Sequence, residues 1–300
     1  MALSQRDVRN RIASVKNIQK ITRAMEMVAA ARLRRAEQRI EALRPYAAAI
    51  ARMTRRAAQA AGRGPAAIAT ALMEERPVER TGFLLVCGDR GLAGAFNSQV
   101  IRAGLGAAAD ARAEGKEVVW YVSGRRGVSS LTFRGERVTG AYVGFSDRPS
   151  FADARRIAEE AIAAYVDKRV DRIELIYNRY FSPLVQRVQR EVLLPVAPAT
   201  LELDKEGEEA QQRRTPLTVE YEPDPAAILA RLVPSYVEIA IFRALLESTA
   251  SEHGARMTAM RNASENAGEL IDQLTLEMNR ARQAEITQEI LEVVAGAEAL

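Results

Sequence analysis

The sequence has few of the residues on which redox, metal and membrane chemistry depend. Cys87 is the only cysteine and His253 the only histidine, which excludes an internal disulfide, a cysteine-based zinc site and a serine–histidine catalytic triad. Aromatic residues make up 5% of the chain, so closely packed alanine-rich helices are expected in place of a large aromatic core. No stretch approaches the roughly 18 apolar residues that a membrane span needs. The amino terminus does not resemble a secretory signal.

Charge is divided unevenly between the two ends of the chain. Residues 1–60 carry 14 Lys and Arg against 4 Asp and Glu, and residues 235–300 carry 5 against 11. Opposite charge favours association of the two ends, and the larger excess on the first favours an acidic partner. Nucleic acid is one such partner, and an acidic protein surface fits at least as well.

The first 44 residues contain neither glycine nor proline and predict one long helix, which continues to about residue 61. Apolar residues recur along it at gaps of mostly three and four, which indicates a single apolar stripe. That predicted stripe comprises Val8, Ile12, Val15, Ile18, Ile21, Met25, Val28, Leu33, Ala36, Ile40 and Leu43.

The last segment predicts a second, longer helix. Asp224 and Pro225 form a cap followed by a first-turn proline, and residues 235–300 contain no proline. Roughly 60 helical residues would extend about 90 Å, so this helix is expected to project and to need a partner. The other terminal segment, with opposite charge, predicts an antiparallel coiled coil. The predicted apolar stripe of the carboxyl-terminal helix is Ala263, Ala267, Leu270, Leu274, Met278 and Ala281.

The middle of the chain alternates predicted strands and helices. Strands are predicted at 83–87, 118–122, 138–143, 172–177 and 184–192, the last two as a hairpin, with helices between the earlier strands. This pattern predicts an α/β fold with a Rossmann-like, mostly parallel sheet covered on both faces. The expected domains are therefore 1–61, 62–224 and 225–300.

Gly88, Gly91 and Gly94 follow the first predicted strand, where a nucleotide-binding loop would lie. Their spacing matches neither the dinucleotide fingerprint nor the phosphate-binding loop, so structural turn chemistry is favoured and no cofactor is expected. Cys87 is expected to be a buried, unreactive thiol, and His253 a packing residue. The apolar carboxyl-terminal end, residues 290–300, is expected to insert into a partner.

Four segments, taken in order, resemble the gamma subunits of rotary F-type ATP synthases. They are Ile12–Leu33, Asp89–Ser98, the pair Ser251–Met257 and Asn266–Ile271, and Asn279–Glu289. The resemblance implies a non-catalytic central rotor shaft that couples proton flow to ATP synthesis. Its implied partners are three alpha and three beta subunits, the epsilon subunit and the ring of c subunits. The implied location is the cytoplasmic face of a bacterial plasma membrane, reached through that ring.

The resemblance also implies which residues contact partners. Met25 matches the family methionine near an acidic segment of the beta subunit, and the basic run of Arg32, Arg34 and Arg35 is expected to meet acidic segments of the beta subunits. Glu222 is expected near the c ring. Arg256, Gln283 and Thr287 match residues of the carboxyl-terminal helix that contact the hexamer. A coiled-coil protein that binds nucleic acid through the basic first helix is the alternative, and it predicts salt-dependent binding.

Overall fold

The computed structural model describes residues 5–61, 71–196 and 224–298. These residues form two compact units. The first unit contains the chain up to Ala31 and from Arg256 onward, and the second contains Arg32–Ala255. Both terminal helices contribute residues to both units, so these units differ from the three predicted domains, whose limits remain a prediction.

The terminal helices are continuous through their internal prolines. Helix α1 runs over Gln5–Ala61 and includes Pro45, and helix α5 runs over Pro225–Glu298 and includes Pro234. At the start of α5 the predicted cap is confirmed, because Asp224 Oδ1 accepts hydrogen bonds from the backbone N–H groups of Ala226 at 2.6 Å and Ala227 at 3.0 Å.

The second unit contains a five-stranded sheet, and each predicted strand is present. In chain order, the strands and helices between the terminal helices are β1 Arg80–Val86, α2 Phe96–Ala113, β2 Glu117–Ser123, α3 Arg125–Phe133, β3 Val138–Tyr142, α4 Phe151–Val166, β4 Arg172–Tyr180 and β5 Gln186–Leu194. The strand order is β3-β2-β1-β4-β5. The first four of these strands are parallel neighbours, and β5 pairs antiparallel with β4 as the predicted hairpin.

Each face of the sheet packs into its own hydrophobic core. Leu84 and Val86 face a core shared with α4, with α5 up to Leu245 and with Ala57 of α1. Phe83 and Leu85 face a core shared with α2 and with Leu131 of α3. Because successive side chains of a strand point to opposite faces, this alternation covers the sheet on both sides. The mostly parallel, doubly covered sheet is thereby confirmed.

In the first unit the two helices lie antiparallel. Gln19 of α1 is hydrogen-bonded to Ser264 of α5, and Glu26 of α1 is paired with Arg261. Farther along, Val8, Ile12 and Val15 form an apolar cluster with α5. Contacts that advance along α1 while they retreat along α5 require opposite chain directions, so the predicted antiparallel pairing is confirmed. The members of α5 in the cluster are Ala267, Ile271, Leu274 and Met278.

Candidate functional site

The paired helices of the first unit meet along a seam that differs from the predicted stripe of α1. Seven buried or half-buried positions of α1 in this unit repeat at gaps of four and three: Val8, Ile12, Val15, Gln19, Thr22, Glu26 and Ala29. Three polar residues therefore occupy seam positions. On α5, Ile271 takes the seam position that was predicted for Leu270, which is 38% exposed.

Hydrogen bonds satisfy the polar part of the seam. The side-chain amide of Gln19 donates to the backbone oxygen of Ser264, with nitrogen and oxygen 3.3 Å apart. The guanidinium of Arg261 donates to Glu26 Oε1 at 2.9 Å. Thr22 donates within its own helix, to the carbonyl of Gln19 at 3.0 Å. Each of these side chains is thus compatible with partial burial, which would otherwise be costly.

The residues of the predicted stripe that the seam leaves out form a second apolar row on α1. Ile18, Ile21 and Val28 are 53%, 59% and 53% exposed, and Met25 is half-buried among them. The gaps of three, four and three place these four residues, here termed the outer row, on one side of the helix. They lie roughly 100° around the helix from the seam. The prediction that one stripe contains all of these residues was wrong, because it merged two faces.

An exposed apolar row on α1 is the first candidate contact surface. Exposed Lys20 and Arg23 lie on another side of the same helix, whereas exposed Glu265, Glu269 and Asp272 lie on α5. The pair of helices therefore presents different chemistry in different directions around its length. Contiguous exposed apolar side chains are typical of protein-binding surfaces.

The carboxyl-terminal part of α5 is the second candidate surface. Every residue over 282–295 is exposed, and the apolar ones include Ile290, Leu291 and Val293 at 58%, 63% and 72%. Within the described residues, the apolar seam with α1 reaches only to Met278. Gln283 and Thr287 lie in this exposed part, and the Thr287 hydroxyl donates to the Gln283 carbonyl at 2.8 Å. An apolar helix end of this kind is suited to insertion into a partner.

The other predicted contact residues lie in different surroundings. Arg34 and Arg35 are exposed on α1, and Arg256 is buried at 8% exposure. The guanidinium of Arg32 donates to Asp147 Oδ2, within the same chain. Glu222 lies outside the described residues. The contact role of these residues remains a prediction.

Asp147 is a functional candidate that the sequence did not indicate. It lies in the loop between β3 and α4, and its carboxylate approaches two arginines and one histidine. Arg32 is the hydrogen-bonded one, Arg90 Nη1 lies 4.0 Å from Oδ2, and His253 Nε2 lies 3.6 Å from Oδ1. We term these four residues the Asp147 cluster. The loop has an ordinary composition, so only the folded structure identifies the cluster. In this cluster, buried His253 has an acidic neighbour.

The glycine-containing loop after β1 is held by its own carboxylate. Asp89 accepts hydrogen bonds from the backbone N–H groups of Arg125 at 2.9 Å, Gly144 at 2.9 Å and Ser146 at 3.1 Å. Although partial burial acts to raise the pKa of Asp89, these hydrogen bonds outweigh it and hold the pKa below its usual value. Arg125 is the first residue of α3, so Asp89 takes the place at this helix terminus that an anionic ligand would take.

Close packing continues around the same loop. The backbone N–H of Gly88 donates to Asn97 Oδ1 at 2.8 Å, and Asn97 in turn donates to the carbonyl of Arg90 at 3.2 Å. A Cβ on Gly88 would lie 2.8 Å from the carboxylate of Glu252, which is 1% exposed. Burial and the nearby Glu252 carboxylate raise the pKa of Cys87 to about 12, so its thiol stays protonated and unreactive at neutral pH.

Comparison with known proteins decides the family. The ATP synthase family profile matches residues 4–300. An ATP synthase gamma chain of Rubrobacter xylanophilus is 43% identical over 298 residues, covering 99% of this chain and 98% of the relative. The chain belongs to the ATP synthase gamma chain family. A gamma chain of Moorella thermoacetica is 41% identical over 298 residues, with 98% of each chain covered.

Solved structures agree on the fold of this gamma-family chain. A chain of the Euglena gracilis mitochondrial ATP synthase, in a structure of OSCP, F1 and the c-ring, matches with a TM-score of 0.68 at 17% identity. It covers 98% of this chain and 94% of that one. A chain of the Tetrahymena thermophila mitochondrial ATP synthase central stalk and c-ring matches with a TM-score of 0.59 at 24% identity, over 81% and 99% of the two chains.

Family membership bears on the two interpretations of the basic first helix. The relatives at 43% and 41% identity are gamma chains of ATP synthases. They support the rotor interpretation and give no support to nucleic-acid binding.

No helix among the described residues combines the length and the apolar character that crossing a bilayer requires.

Proposed function

We propose that this chain is the central rotor shaft of an F-type ATP synthase and is itself non-catalytic. It transmits rotation between a membrane ring of c subunits and a hexamer of three alpha and three beta subunits, whose beta subunits carry out the chemistry. The observation that carries the proposal is the full-length gamma-chain match of a chain whose terminal helices pair antiparallel.

The chemistry around the paired helices suits a shaft. A shaft can set three equivalent catalytic subunits to different states only if its contact free energy differs among them. The outer row and exposed Lys20 and Arg23 give α1 an apolar and basic surface, whereas Glu265 and Glu269 make the surface of α5 acidic. Turning such a pair presents each subunit with a changing surface, which is the requirement for driving them in sequence.

The predicted contacts follow from this role. The outer row with Met25, and the basic run of Arg34 and Arg35, would face acidic segments of the beta subunits. Gln283, Thr287 and the exposed apolar end of α5 would lie inside the hexamer. The globular part, with Glu222, would meet epsilon and the c ring. Through that ring the chain would be a peripheral membrane protein at the cytoplasmic face of a bacterial plasma membrane.

Reconstitution tests the proposal directly. The purified chain is mixed with alpha and beta subunits, and the complex is separated by size and quantified. We expect one copy of this chain per three alpha and three beta subunits, together with a large increase in cooperative ATP hydrolysis. A chain that neither co-purifies with these subunits nor changes their hydrolysis would refute the proposed function.

A further inference from the structure

Within the second unit, the Asp147 carboxylate connects both terminal helices to the loop between β3 and α4. Arg32 lies on α1 and donates to Asp147 Oδ2. His253 lies on α5, and its Nε2 is 3.6 Å from Oδ1. One side chain of the second unit therefore contacts both terminal helices, each of which also contributes residues to the first unit. The sequence separates these contacts widely, so only the fold brings them together.

Two further polar contacts hold α1 beside this point. The guanidinium of Arg39 donates to the carbonyl of Pro149 and lies 6.0 Å from the centre of the Phe242 ring of α5. The hydroxyl of Tyr180, on β4, donates to Glu37 Oε1. Burial and this bond to a carboxylate raise the pKa of Tyr180, so the phenol remains a donor at physiological pH. Three positions of α1, within about two turns, are thus fixed to the loop and the sheet.

The form of these contacts indicates what they do. Leu33, Ala36 and Ile40 of α1 are buried beside them, but apolar burial has no preferred direction and resists rotation of a helix weakly. Hydrogen bonds require a defined distance and angle. The side chains of Arg32 and Asp147 are 39% and 31% exposed, so their pairing adds little to stability. Their contribution is therefore to the orientation of α1.

We propose that Asp147 is a positioning residue that, through Arg32, fixes the rotational setting of α1 within the second unit. This inference rests on the proposed function, since it concerns how rotation passes between the globular unit and the helices. Without the cluster, α1 could turn slightly under load, and part of each rotary step would be lost as slip.

The test compares proton pumping with ATP hydrolysis in the assembled ATP synthase, reconstituted in lipid vesicles. We expect Arg32→Gln and Asp147→Asn each to lower the protons pumped per ATP hydrolysed by about twofold, the scale of coupling between contacting residues. The double variant should pump as many protons per ATP as either single variant, because each substitution removes the same contact between Arg32 and Asp147. Arg32→Lys should retain most of the ratio. Arg44→Gln, an exposed arginine of the same helix, serves as the matched control.

The outcomes separate this inference from the proposed function. An unchanged ratio in the single variants, or independent losses that multiply in the double variant, would overturn the positioning role while leaving the rotor role intact. A wild-type chain that fails to stimulate hydrolysis refutes the rotor role itself. If Asp147→Asn does not assemble, the Arg32 variants decide: equal ratios for Arg32→Gln and Arg32→Lys overturn the inference, and a lower ratio for Arg32→Gln supports it.

Discussion

The carboxylate of Asp89 accepts a hydrogen bond from the backbone N–H of Arg125, the first residue of α3, at 2.9 Å. Two more backbone donors, those of Gly144 and Ser146, converge on the same side chain. An internal carboxylate thus ties the ends of three parallel strands together. In nucleotide-binding folds this edge of the sheet is where ligands bind, and here the carboxylate of Asp89 occupies the helix terminus at that edge.

Removal of this carboxylate charge should destabilise the chain in a pH-dependent way. Asp89→Asn weakens three charge-assisted hydrogen bonds at a partly solvated site, so we expect a loss of about 1–2 kcal/mol at neutral pH. The folded-state pKa lies below the unfolded value, so this stabilisation is present above the unfolded pKa and disappears as pH falls through the folded one. Urea unfolding should show the difference at pH 7 and a smaller one below about pH 4.

Asp110→Asn, an exposed aspartate on α2, is the control for that measurement. It should change the free energy of unfolding by less than about 0.5 kcal/mol at either pH. An Asp89→Asn variant as stable as the wild type at pH 7 would contradict the assignment of Asp89 as the residue that holds the loop.

Two helical glycines should respond in opposite directions to alanine. A Cβ on Gly254 would lie 3.2 Å from the Pro183 carbonyl and from the side-chain nitrogen of Gln186, both near an exposed hairpin tip that can shift slightly. We expect Gly254→Ala to be neutral or to stabilise by less than about 1 kcal/mol, the gain in helix propensity. A Cβ on Gly104 would lie 2.8 Å from the buried Leu85 side chain, so Gly104→Ala should destabilise by about 1–3 kcal/mol.

Thermal and urea unfolding of the two alanine variants, measured side by side, check this pair. A larger loss for Gly254→Ala than for Gly104→Ala would mean that the hairpin tip is more rigidly packed on α5 than the core is around Leu85.

Substitutions in the outer row should weaken binding to the hexamer, whereas substitutions in the seam should lower stability. Ile18→Gln combined with Ile21→Gln replaces exposed side chains, so unfolding should change by less than about 0.5 kcal/mol. Under the proposed function, the affinity for the alpha–beta hexamer should fall by about tenfold, the equivalent of 1.4 kcal/mol of lost contact. Titration of the hexamer with labelled chain measures the affinity.

Leu274→Ala is the contrasting variant, since Leu274 is 4% exposed in the seam. It should destabilise the paired helices by about 2 kcal/mol, which circular dichroism during urea unfolding detects. Normal affinity in the double outer-row variant would remove this row from the contact surface.

The apolar end of α5 should matter for assembly and not for folding. Deletion of residues 290–300 removes Ile290, Leu291 and Val293, which are exposed in the isolated chain. Under the proposed function we expect at least a roughly tenfold loss in hexamer assembly, because buried apolar anchors dominate such interfaces. Cys87→Ala, at a buried thiol of the second unit, should assemble almost normally. Equal assembly of the two variants would contradict insertion of the helix end.

The sequence predicted the regular elements well because local chemistry defines them. Ser150 caps α4: its hydroxyl accepts a hydrogen bond from the Asp153 backbone N–H, and the Asp153 carboxylate accepts one from the Ser150 backbone N–H, a complete capping box. The β4–β5 pair followed from two short strand patterns with no helix between them. The seam could not be assigned, because Gln19, Thr22 and Glu26 occupy it while Ile18 and Ile21 face outward. Hydrophobic periodicity alone assigns such residues to the wrong face.

The Asp147 cluster was beyond sequence reasoning for a different reason. Its members are ordinary ionisable residues in four separate parts of the fold, and nothing in their spacing relates them. Contacts of this kind arise only when the chain has folded, as with Glu37 and Tyr180. The family resemblance identified Arg32 as a candidate, but the acidic group it meets in this structure belongs to its own chain.

The bond between Gln19 and Ser264 constrains how gamma chains can change in length. Sliding one helix past the other would break the Glu26–Arg261 pair and move Gln19 away from Ser264, so these bonds favour one alignment of the helices. An insertion into one helix between these bonds and the apolar cluster must be matched by an equal insertion into the other. Multiples of seven residues preserve the facing sides, so length differences within this part of the paired helices are expected as paired heptads.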